Sequence, residues 1–259
     1  MARPPVLFIS HGSPELAVRE TATHTFLKGY GSSLGKPRAI LVISAHWETA
    51  DVQVGGSAHP ETIYDFRGFD PLLREIVYGA PAALDVADMA RSSLEAAGSA
   101  VTRDPSNGYD HGVWVPLHLL FPEADVPVAQ VSIQPKADPA HHHRLGEALA
   151  PLRDTDVMIV ASGAMTHNLG AFTGQVIDAD VPAWVSGFNE WFADRLAARD
   201  VETLLDYRTL APFAVENHPT DEHLLPVFAA LGAGDGQPGK RVHAGYEHGV
   251  LSMDVYRFE

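Results

Sequence analysis

VLFISHGSP, residues 6–14, decides the fold: an apolar, β-branched run from Val6 to Ser10 stops abruptly at His11-Gly12-Ser13-Pro14. Short runs of this kind, bounded by turn residues, read as strands buried on both faces. Three more follow: AILVISA at 39–45, ending at His46-Trp47; PVAQVSI at 127–133; and VMIVA at 157–161, ending at Ser162-Gly163. Between them, residues 83–97, 141–152 and 185–199 place apolar side chains at helical spacing. The alternation predicts an α/β fold, a central and mostly parallel sheet flanked by helices. A return strand is expected within Val250 to Tyr256, and GAGDGQPGK at 232–240 reads as a loop.

With 259 residues, 46% of them apolar, and no repeat or linker, the chain is expected to form one domain over 1–259. The formal net charge of −15 argues against nucleic-acid and anionic-lipid partners, which need clustered Lys and Arg. The absence of cysteine excludes thiolate nucleophiles, disulfides and Fe–S clusters. Any metal must therefore sit on imidazole or carboxylate. No signal peptide and no run of 18 apolar residues stand out, so a cytoplasmic location is expected.

In an open α/β sheet, functional groups gather at the carboxyl ends of the strands. His11 and His46 end two of the runs and His167 lies just beyond a third, so parallel strands bring all three to one edge. Each alone is more simply a hydrogen-bonded structural residue; the matching positions favour a site. Asp110-His111-Gly112 follows a turn-rich stretch, and Asp110 there serves as a helix cap while His111 points into the site. In PTDEHLLP at 219–226, Pro226 is tolerated only in a first helical turn, so a helix starting near Glu222 places His223 in its opening turn. Glu48 shares the face of His46 on an extended segment, either as a partner for a ligand's other nitrogen or as a surface charge, with Trp47 turned into packing. The triplet His141-His142-His143 reads as solvated surface, and His24, His59 and His243 have no supporting context.

Taken together, FISHGSP (8–14), ISAHWE (43–48), YDFRGF (64–69), GYDHGVWVPL (108–117), VASGAMTHNL (160–169), PTDEHLLPV (219–227) and LSMDVYRF (251–258) resemble the LigB-type extradiol ring-cleavage dioxygenases, in the DOPA 4,5-dioxygenase-like branch. The motifs run in family order across nearly the whole chain. The resemblance implies a LigB-like fold and an enzyme that adds both atoms of O2 to a catechol such as L-DOPA, opening its ring at one divalent metal. It implies His11, His46 and His223 as metal ligands, His167 as catalytic acid/base and His111 as a second catalytic histidine in the pocket. Ser13 and Asp110 are assigned to substrate contacts. Fe(II) is expected for activity because electrons must pass between catechol and O2; Zn(II) is redox-silent but competes well for histidine sites. The alternative is a zinc-dependent hydrolase built on the same histidines. The sequence leaves oligomeric state open.

Overall fold

The computed structural model describes residues 3–259. The first run forms β1 (Val6–Ser10), and its side chains divide by the strand period of two. Val6 and Phe8 enter one apolar cluster while Leu7 and Ile9 enter the other. β2 (Ala39–Glu48) and β6 (Val157–Gly163) behave alike and so read as apolar runs, while β5 (Val128–Ile133) is buried throughout but carries polar Gln130 and Ser132 on one face. Two strands that the sequence reading did not name, β3 (Val52–Gly55) and β4 (Val101–Asp104), extend the sheet. Both are short and alternate with polar residues, so they carry little strand signal.

The main sheet has eight strands in the order β4-β3-β5-β2-β6-β1-β10-β7, with β7 spanning Lys240–His243 and β10 spanning Val255–Phe258. The central four, β5-β2-β6-β1, are parallel. β10 returns antiparallel against β1, a few residues later than Val250 to Tyr256, because a separate small hairpin of β8 (Tyr246–Glu247) and β9 (Leu251–Ser252) intervenes.

Helices cover both faces. On one side lie α2 (Leu84–Ala96), α4 (Pro139–Leu149), α5 (Ala183–Ala198) and α9 (Leu225–Ala233), and on the other α1 (Ala22–Leu34) and α3 (His111–Leu120). Three short helices, α6 (Val201–Leu205), α7 (Tyr207–Leu210) and α8 (Ala214–Asn217), link α5 to the turn before α9. Among the described residues no helix is long and apolar enough to cross a membrane.

Two local expectations change. The helix near Glu222 begins at Leu225, and His223 sits in the preceding turn, where Asp221 O accepts from Leu224 N and Leu225 N. The histidine triplet is not solvated surface: His142 is fully buried, donating from Nδ1 to Asp138 O and accepting at Nε2 from Gln134 N. Tertiary packing of α4 on α2 and α9 turned that face inward, a choice the polar composition concealed.

Candidate active site

Because β1, β2 and β6 are parallel, their carboxyl ends share one edge, and the long loops over residues 57–83 and 164–182 close over it. His11 leaves β1 with its backbone N–H bonded to Gly163 O at 3.0 Å, so the ends of β1 and β6 are tied together. His46 lies where β2 loses register with β5, between Ile43 and Glu48. His223 arrives from the turn before α9, its carbonyl accepting from Ala164 N at 2.8 Å. Gly163 permits that approach: a Cβ there would stand 2.2 Å from His223 O.

The three rings meet through their Nε2 atoms. His46 Nε2 is 3.0 Å from His11 Nε2 and 3.3 Å from His223 Nε2. Every Nδ1 is held elsewhere: His11 by Ser162 Oγ at 2.9 Å, His46 by Asp65 Oδ2 at 3.3 Å, His223 by Glu222 Oε1 at 3.0 Å. Nδ1–H donation from His11 to Ser162 and from His223 to Glu222, with the Asp65 carboxylate in ionic contact with His46 Nδ1, leaves the three Nε2 lone pairs facing one point. Metal–nitrogen bonds of about 2.0–2.1 Å put neighbouring ligand nitrogens roughly 3.0–3.4 Å apart, so the residues fit one divalent ion. Two other groupings, His46-Asp65-His111 and His167-Glu222-His223, also bring ligand atoms within 4.8 Å. They fit less well, because a carboxylate in each is committed to histidine N–H groups.

Burial, with repulsion from the neighbouring histidines, holds His11 well below the usual imidazole range and His46 at about 2. Both rings are thus neutral, as metal ligation requires. Burial acts to raise the Glu222 carboxyl, but hydrogen bonds from His223, Thr220 and the backbone, with the His223 charge, together bring it down to about 2, so it is ionised. Asp65 likewise lies below its usual value, burial being outweighed by the His111 hydrogen bonds and the charges of His111 and His46 together.

His111 opens α3, 5.3 Å from His11 and 3.9 Å from His46 between ring centroids. Its Nδ1–H donates to Asp65 Oδ1 at 2.9 Å. His167 stacks on His223, with centroids 3.5 Å apart and planes 12° from parallel. Burial, followed by His223, brings His167 down to about 3. All five histidines line a cavity of about 520 Å³ whose remaining walls include Phe66, Phe69, Leu169 and Phe172.

Ser13 also lines the cavity, its Oγ accepting from Glu15 N at 3.1 Å. Asp110 does not. Its carboxylate caps α3 at Val113 N and accepts from Ser44 Oγ at 2.7 Å, and burial pushes it up to about 6. Both bonds use Oδ1, as the expected helix cap requires, and Oδ2 has no hydrogen-bond partner. Glu48 is exposed and makes no bond to His46; Asp65 takes that position. Asp65 was legible only as a letter of YDFRGF, because nothing in its spacing relates it to His46 or His111. Trp47 is buried, as its alternation with His46 predicts.

The family model described as the catalytic LigB subunit of aromatic ring-opening dioxygenase matches residues 3–258. A 4,5-DOPA dioxygenase extradiol of Beta vulgaris is 40% identical over 97% of this chain and 95% of its own length. The Escherichia coli K12 protein of the same name is 36% identical over 97% and 93%. A crystal structure of an uncharacterized Escherichia coli K12 protein superposes with a TM-score of 0.82, at 32% identity, covering 99% of this chain and 100% of that one. These relatives do not favour the hydrolase alternative. The chain belongs to the LigB family of aromatic ring-opening dioxygenases, in the branch of the extradiol DOPA dioxygenases.

Proposed function

We propose that this dioxygenase opens the ring of a catechol such as L-DOPA, with one divalent ion held by His11, His46 and His223. The observation that carries the reading is the convergence of three Nε2 atoms whose Nδ1 partners are all fixed, beside two further histidines in one cavity. Bound there, Fe(II) would supply the electron path between diol and O2 that Zn(II) lacks.

The protein's own contribution is positional and protonic. Phe66, Phe69, Leu169 and Phe172 offer an apolar slot for an aromatic ring and keep bulk water off it. His167, neutral and stacked on His223, accepts a hydroxyl proton from the diol and returns it later in the turnover. His111, with Nδ1 bonded to Asp65, presents Nε2 as its free nitrogen, suited to orienting a hydroxyl or steadying developing charge. Ser13 Oγ accepts from Glu15 N and keeps its own hydrogen to donate to substrate. One catalytic domain over 1–259 suffices for all of these roles.

The test is anaerobic reconstitution with Fe(II), followed by a panel of catechols in oxygenated buffer. Oxygen uptake with a yellow ring-opened product is expected, and the Zn(II) protein should be inactive. No uptake with any catechol would overturn the reading and restore the hydrolase.

A further inference from the structure

We propose that Asp65 is a shared positioning residue, its one carboxylate clamping a metal-holding histidine and a cavity histidine at once. The inference rests on the ligand set proposed above. Oδ1 accepts from His111 Nδ1 at 2.9 Å and from the His111 backbone N–H at 3.1 Å, while Oδ2 faces His46 Nδ1 at 3.3 Å. The two rings lie 3.9 Å apart between centroids.

An ionised carboxylate only accepts hydrogen bonds, so His111 Nδ1 carries the hydrogen; on His46 the same anion, 3.3 Å from Nδ1, favours the hydrogen on that nitrogen too, and both Nε2 atoms are left bare. On His46 the bare nitrogen is the one that meets His11 and His223. On His111 it is the nitrogen left for substrate. One residue therefore sets the tautomer of a ligand and of a catalytic group.

The clamp is built to hold its place. Asp65 lies on an irregular segment, yet that segment is tied to the approach to α3, the helix that carries His111. Ile63 N donates to Tyr109 O at 2.7 Å, Tyr109 N to Glu61 O at 2.8 Å, and Trp114 Nε1 to Ile63 O at 3.1 Å. Tyr64 OH fixes the far side through Ile76 O at 2.8 Å. Asp65 and His111 are thus held as one unit against His46 on β2.

An asparagine of the same shape offers one acceptor and one donor, so it cannot serve both Nδ1–H groups. Whichever ring meets its NH2 must move its hydrogen to Nε2. Asp65→Asn should therefore damage metal binding and turnover separately, whereas Asp65→Glu, with two acceptors, restores part of both.

The experiment measures Zn(II) affinity by competition with a chromophoric chelator, and kcat and KM at saturating Fe(II) with a catechol that the wild-type protein turns over. Both are measured for Asp65→Asn, His111→Phe and the double variant. Asp65→Asn is expected to weaken Zn(II) roughly 10–100-fold with or without His111. It should lower kcat more than it changes KM, and in the His111→Phe background add less than about threefold to the kcat loss, because residues acting as a unit are not additive. Zn(II) affinity within about threefold of wild type, or kcat losses that simply multiply, overturns the clamp. If Asp65→Asn fails to fold, Asp65→Ser, which removes the second acceptor, is read the same way. Wild-type protein that binds no Zn(II) refutes the ligand set itself, which is distinct from wild type and variant binding equally well.

Discussion

An imidazole offers two nitrogens, and at this site the partner of one decides the use of the other. Ser162, Asp65 and Glu222 each occupy a Nδ1 and so release three Nε2 atoms to a common point. His167 differs: its Nδ1 is 3.9 Å from Glu222 Oε1, too far for a hydrogen bond, and its ring lies flat on His223. His167→Ala should accordingly keep Zn(II) while kcat falls about 10²–10⁴-fold, the usual worth of acid–base help. Loss of metal from that variant would make His167 a ligand instead. His46→Ala should lose the ion, and metal analysis after gel filtration decides it. Histidines placed after strands were legible in the sequence; their partners were not, since Ser162, Asp65 and Glu222 come from three separate stretches.

At the scale of elements, β6 and the turn before α9 meet at Gly163. The obstacle to a side chain there is the backbone carbonyl of His223, which cannot rotate away as a flexible side chain would. Gly163→Ala should therefore shift His223, costing about 1–3 kcal/mol in stability and weakening Zn(II) at least tenfold. Thermal melts with and without Zn(II) measure both effects, and an Ala variant with unchanged affinity would show that His223 tolerates the displacement. The four central strands and α2, α4 and α5 were read within a few residues, because burial on both faces and helical periodicity are local signals; α1 was not named. β3 and β4 escaped, being four residues each, too short for their mix of apolar and polar residues to stand out.

For the molecule as a whole, two buried histidines outside the ligand set tie stability to pH. Burial depresses both His142 and His218 to about 4. The folded state therefore keeps them neutral, while the unfolded chain takes up their protons below the ordinary imidazole value of 6.5. Their contribution is complete above about pH 6.5 and declines toward about pH 4, by up to about 1.4 kcal/mol per pH unit for each group. Urea unfolding between these limits should show the decline, and His142→Gln should flatten its share. A His142→Gln curve parallel to wild type would refute the assignment.

The sequence by itself determined the α/β architecture, the edge on which His11, His46 and His167 gather, and the family. Strand burial is written in local patterns, and the motifs run in one order along the chain. Only the tertiary structure decided which nitrogen of each histidine is free, that Asp65 rather than Glu48 serves His46, and that Asp110 accepts from Ser44. Those outcomes depend on contacts within 2.7–3.3 Å, most of them between residues separated in the chain, and side-chain contact geometry leaves no periodic trace in a sequence.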